Sequence, residues 1–533
     1  MRFLLHTALA AGLGFCLGLS GCGGSDTSAD PTLADTTEGR VRGQIAEELV
    51  SFLGIPYAAQ PVGTLRWAPT AAPPMHTETQ EAARMGASCP QTGPGADAVT
   101  DEACLYLNIW KPADAAPGAK LPVLVFMHGG AFVIGSGAQA DLREISKRHV
   151  VTVSFNYRLG ALGFLANTAL SASNQDGSLG NFALMDAIGA LQWIKRNIEA
   201  FGGDAGNVTL WGLSAGATQT FSLLQSPKAR GLFHRAMMQS GGGAEYSNLS
   251  AEAATAVGDA AVTALGCGAA ADQAGCLRAV PVSAILAAQG PGKWRPTVDG
   301  SVLTKVPLRA FAEGDFNRVP VMIGGVYDEG TLFSDPNMSA AVYPFALHSL
   351  APAGSDTTRI DAAYALSRFS SPGQAFARAT GDAMYACGNS IQRTTLSAWV
   401  PVYGWELTDP VMSFPEQSSG YYYGSSHGMD AMYWAGGVEG LRNYPYLDAP
   451  VADKVTNAPA LAQRKALSAQ MQEHLVNFVR SGDPNGEQGS ASLDWPRFAG
   501  SGEQHLMHFT LPESRVANGE FETTHHCEIW PAI

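Results

Sequence analysis

Three short apolar runs without polar alternation constrain the fold of this chain most strongly. They are residues 121–127 (LPVLVFM), 150–155 (VVTVSF) and 208–211 (VTLW). Such runs are typical of strands that are buried on both faces of a parallel sheet. Between the second and third runs, residues 182–201 carry apolar side chains at helical spacing. Strand, helix and strand in this order predict an α/β fold, with a large central, mostly parallel sheet flanked by helices.

A Gly-x-Ser-x-Gly motif directly follows the third run. It reads Gly212-Leu213-Ser214-Ala215-Gly216, and residues 217–224 can continue as a helix. A strand, a tight glycine-flanked turn and a helix together form the context in which such a serine is exposed as a nucleophile. The motif also occurs by chance in a chain with 60 glycines. We predict that Ser214 is a catalytic nucleophile.

A glycine-rich loop follows the first apolar run and supports this interpretation. Residues 128–132 read His-Gly-Gly-Ala-Phe, in the order expected of an oxyanion loop that precedes the nucleophile. Backbone N–H groups in such a loop can stabilise the negative charge that develops on a substrate oxygen. We predict that the N–H groups of Gly130, Ala131 and Ala215 form this oxyanion hole.

With these motifs in place, the chain resembles the type-B carboxylesterase family, which has the α/β-hydrolase fold. The matching stretches include residues 52–58 (FLGIPYA), 104–112 (CLYLNIWKP), 156–164 (NYRLGALGF) and 197–204 (NIEAFGGD). The resemblance covers nearly everything from about residue 39 to residue 530. It implies a serine hydrolase that cleaves small carboxylic esters through an acyl-enzyme, with no cofactor and no metal.

The resemblance also implies the other two catalytic residues. It places the acid at Glu329, with Asp328 beside it as the rival carboxylate, and the base at His427. The order Ser, acid, His along the chain agrees with α/β-hydrolases. His427 would take the proton of Ser214, and Glu329 would orient the imidazole. Apolar runs at residues 319–324 and 400–403 predict strands that lead toward the acid and the histidine.

One departure from the family concerns substrate preference. Leu213 stands where the family usually carries Glu, so we expect a less negative pocket floor. The segment between Cys89 and Cys104 contains no Trp, whereas cholinesterases carry a choline-stacking Trp there. We therefore expect a broad or apolar substrate preference. Two alternatives remain open: a true lipase, and an inactive relative that only binds, since fold alone does not establish chemistry.

The start of the chain predicts export. Residues 1–21 resemble a lipoprotein signal peptide, and the sequence Leu19-Ser20-Gly21-Cys22 predicts lipidation of Cys22. Residues 22–37 are small and polar, which predicts a flexible tether, and residues 38–533 would form the catalytic domain. We expect a bacterial lipoprotein on an outer-membrane or periplasm-facing surface. The alternative is a soluble periplasmic or secreted protein with an ordinary cleaved signal.

The net charge of the chain limits which partners it can bind. The formal net charge of −14 argues against nucleic acid and against electrostatic binding to anionic lipid. Membrane contact is therefore expected only through the N-terminal lipid, and the oligomeric state stays open.

Six cysteines remain after the signal and the lipid site, which predicts three disulfides in an exported chain. The expected pairs, also implied by the family, are Cys89–Cys104, Cys267–Cys276 and Cys387–Cys527. Because Cys527 is expected in a disulfide, residues 525–528 (HHCE) are not interpreted as a metal site. The family further implies two ion pairs, Arg66–Glu102 and Arg158–Asp186.

Overall fold

The computed structural model describes residues 30–92, 100–172, 174–175, 177–242, 248–290, 293–351, 354, 356–409, 421–438, 458–486, 491–500 and 504–530. Residues from Pro31 onward form one compact unit. The predicted signal peptide, Cys22 and residues 23–29 of the predicted tether lie outside the described residues. Among the described residues, no helix has both the length and the apolar character needed to cross a membrane.

The strands are β1 (Leu33–Thr36), β2 (Gly39–Arg42), β3 (Gln44–Ala46), β4 (Leu49–Pro56), β5 (Gln80–Glu81), β6 (Tyr106–Pro112), β7 (Leu121–Met127), β8 (Val151–Phe155), β9 (Gly203–Leu213), β10 (Arg235–Gln239), β11 (Leu249–Ser250), β12 (Thr297–Val298), β13 (Val321–Val326), β14 (Val402–Thr408), β15 (His505–Thr510) and β16 (Arg515–Asn518).

The helices are α1 (Arg143–Ser146), α2 (Gly160–Phe164), α3 (Thr168–Ser171), α4 (Phe182–Asn197), α5 (Ala215–Gln225), α6 (Ala251–Ala264), α7 (Gln273–Ala279), α8 (Val282–Ala288), α9 (Pro307–Glu313), α10 (Tyr343–His348), α11 (Thr358–Ala363), α12 (Pro372–Gly381), α13 (Cys387–Ser397), α14 (Asp430–Ala435), α15 (Ala458–Ser481) and α16 (Phe521–Thr524). Tighter 3-10 turns span Gly63–Leu65, Gly137–Gln139, Ile198–Phe201, Pro227–Ala229, Glu329–Leu332 and Leu366–Arg368, and a wider π turn spans Asp382–Ala386.

An eleven-stranded sheet organises the described chain. Its strand order is β16-β15-β14-β13-β10-β9-β7-β8-β6-β4-β3. The strands from β15 through to β8 run parallel to their neighbours. The strands at the two ends, β16 on one side and β6, β4 and β3 on the other, pair antiparallel. The prediction of a large, mostly parallel sheet flanked by helices is confirmed.

The three apolar runs form the centre of this sheet, as predicted. Strand β7 shows why a continuous apolar run is needed there. Val123 and Val125 pack into the apolar cluster on one face, while Leu124 and Phe126 pack into the cluster on the other face. Because successive side chains of a strand point to opposite faces, a strand covered on both sides favours apolar residues at consecutive positions.

Ordered structure begins inside the segment that the sequence predicts as a tether. Strand β1 occupies part of residues 22–37 and pairs antiparallel with β2. Ala34 is buried between more exposed neighbours, and the Thr36 hydroxyl donates to the Gly39 carbonyl at 2.6 Å, which closes the turn. The N–H of Thr37 donates to Asn197 Oδ1 at 2.7 Å. These contacts fix residues 33–37 against the catalytic unit.

The expected covalent and ionic links are present. The structure forms the disulfides Cys89–Cys104, Cys267–Cys276 and Cys387–Cys527. Arg158 pairs with the fully buried Asp186 at 2.7 Å, and Arg66 pairs with Glu102 at 2.5 Å.

The C-terminal segment is held by a buried imidazole between two carboxylates. His525 Nδ1 lies 2.6 Å from Asp382 Oδ1, and its Nε2 lies 2.6 Å from Glu406 Oε1. Burial alone would lower the pKa of His525, but the charges of Glu406 and Asp382 outweigh it and raise this pKa to about 9. The protonated ring therefore joins the chain end to β14 and to the π turn Asp382–Ala386.

This cluster predicts a loss of stability in alkali. Because the folded pKa of His525 is raised from 6.5 to about 9, its contribution is complete below about pH 6.5 and is lost as the pH rises through about 9. We expect His525→Gln to lower the thermal unfolding midpoint more at pH 6.5 than at pH 10, as followed by circular dichroism. The control is His348→Gln, because His348 pairs with Asp361 at the surface. A His525→Gln deficit of equal size at both pH values would contradict this account.

Candidate active site

Ser214 occupies the sharp turn between strand β9 and helix α5. Its backbone has φ 56° and ψ −119°, a conformation that side-chain-bearing residues rarely adopt. Such strain costs about 1–3 kcal/mol and persists only where the surroundings enforce it. Here the N–H of Ser214 donates to the carbonyl of Gln239, at the end of the neighbouring strand β10, at 2.8 Å. The turn lifts Ser214 off the sheet and leaves it partly exposed.

The two glycines of the motif are required by close backbone packing. A Cβ at Gly212 would lie 2.3 Å from the Gly216 carbonyl oxygen, and a Cβ at Gly216 would lie 2.2 Å from the Met127 carbonyl oxygen. No side chain fits at either distance, so the turn depends on glycine at both positions.

The glycine-rich loop packs directly against Ser214. A Cβ at Gly129 would lie 3.0 Å from Ser214 Cβ and 3.6 Å from its Oγ. Gly130 and Ala131 both have positive φ, 106° and 52°. Ala215 is the first residue of α5, and the first N–H groups of a helix have no acceptor within the helix. The structure therefore brings the loop and the N-terminus of α5 together at Ser214.

Neighbouring side chains fix the position of this loop. The Tyr157 hydroxyl donates to the His128 carbonyl at 2.7 Å, and the two rings stack with centroids 4.2 Å apart. Gln91 bonds both the N–H and the carbonyl of Gly135, at 2.8 and 3.0 Å. These side-chain contacts hold the loop in its bent form.

Glu329 and His427 form a buried hydrogen-bonded pair. His427 Nδ1 lies 2.5 Å from Glu329 Oε2, and both side chains are at least 97% buried. The other oxygen, Glu329 Oε1, accepts the N–H of Val326, the last residue of β13, at 3.1 Å. The carboxylate is therefore oriented by the strand end, and the imidazole is oriented by the carboxylate.

Asp328, the rival acid, has a different set of contacts. Its Oδ2 accepts the N–H of Ser425 at 2.9 Å, and its own N–H donates to the Ser425 carbonyl at 3.1 Å. Burial raises the pKa of Asp328 to about 6, and its hydrogen bond from Ser425 opposes this rise. Asp328 thus anchors the segment that carries His427, while the neighbouring Glu329 contacts the ring.

Two aromatic rings cover His427 on one side. The ring centroid of Phe333 lies 4.9 Å from that of His427, and Tyr385 lies 4.8 Å away. Phe333 and Tyr385 are nearly parallel, with centroids 5.8 Å apart, and Phe333 remains 46% exposed. We call these two residues the aromatic wall. It gives the solvent side of the site an apolar surface.

Leu213 lies beneath the oxyanion loop. It is buried in the apolar cluster on the opposite face of the sheet from Ala215, which follows Ser214. It borders a small cavity that is also lined by His128, Gly129 and Ala431. A carboxylate in this position would be surrounded largely by apolar groups, so Leu213 makes the floor beneath the oxyanion loop apolar.

The sequence did not reveal several residues of this region: Gln239, Asp430, Phe333 and Tyr385. Asp430 lies three positions after His427, and that nearness is the one sequence signal that could have singled it out; Gln239, the last residue of β10, has no such signal. Tyr385 reaches the site from the π turn, a rare geometry that is frequent at functional sites. Among the described residues, no group of three or more His, Cys, Asp or Glu side chains is arranged to hold a metal ion.

The geometry predicts different effects for the two neighbouring carboxylates. In Glu329→Gln the amide cannot stabilise a protonated His427, so we expect kcat for p-nitrophenyl acetate to fall by about 10⁴-fold. In the matched variant Asp328→Asn, the remaining carbonyl oxygen can still accept the Ser425 N–H, and we expect a loss of less than about tenfold. Equal losses in the two variants would contradict the assignment of Glu329.

Comparison with protein-family models places residues 30–530 in the carboxylesterase family. A fumonisin B1 esterase from Sphingopyxis macrogoltabida is 33% identical over 523 residues, which cover 95% of this chain and 91% of the relative. A para-nitrobenzyl esterase from Bacillus subtilis is 28% identical over 512 residues, with 87% and 92% covered.

Solved structures of esterases also superpose on this chain. The carboxylesterase EST55 of Geobacillus stearothermophilus at pH 6.8 superposes with a TM-score of 0.77 at 30% identity, covering 93% of this chain and 99% of that one. A structure of PNB esterase superposes with a TM-score of 0.76 at 26% identity, with the same coverage.

Proposed function

The chain belongs to the carboxylesterase family and is a carboxylic-ester hydrolase, and we propose that Ser214, His427 and Glu329 carry out its reaction. The observation that carries this proposal is the 2.5 Å contact between the buried His427 and Glu329, which follow strands β14 and β13. Ser214 follows β9 in the same parallel sheet. The carboxyl ends of parallel strands meet at one edge, which is where such sheets bind ligands.

Each residue has a distinct role in the proposed mechanism. His427 removes the proton of Ser214 as the serine oxygen attacks the ester carbonyl. The N–H groups of Gly130, Ala131 and Ala215 donate to the resulting oxyanion, each contributing about 2.7–4 kcal/mol to stabilising the transition state. His427 then protonates the leaving alcohol, and an acyl-enzyme remains on Ser214. Water repeats the sequence and releases the acid.

The strained turn supports this mechanism because such a backbone conformation persists only where the surrounding structure enforces it. The backbone conformation of Ser214 is unfavourable, and it is maintained by the glycine contacts and by the bond to Gln239. Strain of this kind is concentrated at functional sites. The result is a serine hydroxyl that is presented to the loop at residues 129–131.

The preferred substrates in this proposal are uncharged esters with apolar groups. The aromatic wall beside His427 offers apolar surface. Leu213 stands where the family usually carries Glu, so the floor beneath the oxyanion loop lacks that carboxylate. Neither feature attracts a cation through charge. A cationic choline ester should therefore gain nothing over an uncharged ester of the same acid.

Ser214→Ala tests the proposed nucleophile. We expect hydrolysis of p-nitrophenyl esters, from acetate to laurate, to fall by about 10⁴-fold or more, because the acyl-enzyme cannot form. The matched control is Ser240→Ala, since Ser240 is buried next to the site and, like Ser214, has positive φ, 52°. It should retain most of the activity.

Three other outcomes would change the proposal. Full activity in Ser214→Ala would exclude Ser214 as the nucleophile. Inactivity of the folded wild-type protein on every ester would favour a binding role. A sharp rise in rate above the solubility limit of the substrate would indicate a lipase rather than an esterase.

We further propose that the enzyme is exported and anchored through lipid on Cys22, or alternatively is released as a soluble periplasmic or secreted protein. The Leu-Ser-Gly-Cys sequence at residues 19–22 and the apolar segment before it support the first form. A lipidated cysteine carries more than one acyl chain, which is enough for stable membrane attachment.

Detergent partition tests the anchor. In a bacterial host, we expect the full-length chain to enter the detergent phase of Triton X-114, and Cys22→Ala to remain in the aqueous phase. Cys16→Ala is the matched control, because Cys16 lies within the predicted signal and would be removed with it. Aqueous partition of the wild-type chain would overturn the lipid proposal and favour the soluble form.

A further inference from the structure

We propose that Asp430 is a positioning residue that supports the protonated form of His427 from beneath the active site. The proposal rests on the proposed function, since it assigns a second carboxylate to the same proton transfer. It is carried by a buried hydrogen-bond chain that connects the turn at Ser214 to the helix that follows His427.

Gln239 is the centre of this chain. Its backbone carbonyl accepts the N–H of Ser214 at 2.8 Å. Its side-chain Nε2 donates to Asp430 Oδ1 at 2.5 Å, and its Oε1 accepts the indole N–H of Trp211 at 2.6 Å. One residue thus contacts both the proposed nucleophile and Asp430.

The directions of these hydrogen bonds are fixed by two indoles. Trp211 at one end can only donate, so the amide of Gln239 must present its oxygen to Trp211 and its nitrogen to Asp430. At the other end, Trp405 donates to Asp430 Oδ2 at 3.2 Å. Asp430 therefore receives a donor at each oxygen, which is the environment of an ionised carboxylate.

Asp430 lies close to His427 in the chain, and the charges of the two groups interact. Asp430 is fully buried at the start of α14, three residues after His427. Burial and the negative charge of Glu329 raise the pKa of Asp430 to about 7, while the bonds from Gln239 and Trp405 and the positive form of His427 oppose the rise. Glu329 and His427 are the ionisable groups that act on it, and its hydrogen-bond partners, Gln239 on β10 and Trp405 on β14, are neutral.

The electrostatic effect of His427 on Asp430 implies an equal effect of Asp430 on His427. If a protonated His427 favours the ionised form of Asp430, then an ionised Asp430 must favour the protonated form of His427 to the same extent. His427 is protonated in the transition state of the proposed reaction. Asp430 should therefore accelerate the reaction only at pH values where it is ionised.

Asp430→Asn tests this inference through the pH profile of kcat/KM for p-nitrophenyl acetate, with Ser214→Ala as the blank for spontaneous hydrolysis. The ratio of wild-type to variant kcat/KM should be near one at pH 5. It should rise through about pH 7 and reach about tenfold at pH 9, which corresponds to one pKa unit of coupling between the two groups. A role in folding alone would lower activity by the same factor at every pH.

Trp405→Phe provides an independent test with the opposite pH dependence. It removes one donor to the ionised carboxylate, which raises the pKa of Asp430. Its activity deficit should therefore be larger at pH 7 than at pH 9. Thermal unfolding midpoints of both variants show whether each is folded at the assay temperature.

The outcomes separate this inference from the proposed function. Activity that disappears in Ser214→Ala, combined with a wild-type to Asp430→Asn ratio that does not vary with pH, would overturn the role of Asp430 and leave the esterase mechanism standing. A Trp405→Phe deficit that grows toward pH 9 would also overturn it. Activity that survives in Ser214→Ala would instead overturn the proposed function.

Discussion

The geometry of the proposed active site depends on the backbone of Ser214, which is held in a conformation that it would not adopt alone. Packing enforces this conformation: Gly212 and Gly216 allow the strand and the helix to approach closely, and Gln239 binds the N–H of Ser214 from the next strand. The loop at residues 129–131 then has a fixed surface to pack against. A serine on a relaxed strand or helix would lie lower, among its neighbours, with no space beside it for a substrate carbonyl.

The parallel sheet makes the rest of the arrangement possible. Ser214, Glu329 and His427 are far apart in sequence, yet they follow strands β9, β13 and β14, and only β10 lies between β9 and β13. Each side chain is oriented by a contact that the sheet supplies: Gln239 for the serine, Val326 for the glutamate, and Glu329 for the histidine. Asp328 and Ser425 connect the acid turn to the histidine segment through two hydrogen bonds, which hold these two parts together.

The sequence predicts the parts of this fold that have a local signature. The runs at residues 121–127 and 150–155 become β7 and β8 almost without change, because strands buried on both faces favour apolar residues at consecutive positions. The Gly-x-Ser-x-Gly turn is likewise local. The sequence does not predict strands β1 to β6 individually, because their patterns are weaker and their pairing is set by distant partners. Strand β1 shows this most clearly, since residues 33–36 (LADT) are too short for a clear pattern; β1 pairs with β2, and the next residue, Thr37, donates to Asn197.

The sequence also does not predict the long-range side-chain contacts around the site. Nothing local indicates that Gln239 binds Asp430, that Phe333 and Tyr385 cover His427, or that His525 lies between Asp382 and Glu406, because each contact joins distant segments. The choice between Asp328 and Glu329 came from resemblance alone, and the structure adds a physical distinction: one carboxylate binds backbone and the other binds the imidazole.

The central claim is that this sheet edge activates one serine among the many in the chain. Reaction of the folded protein with a fluorophosphonate, followed by peptide mass spectrometry, tests it directly, because such reagents form stable adducts with activated serines. The account predicts a single phosphonyl group on the peptide that contains Ser214, and a much slower reaction when His427 is replaced by Ala. An adduct on another residue, or an unlabelled Ser214 in a preparation that hydrolyses esters, would contradict it.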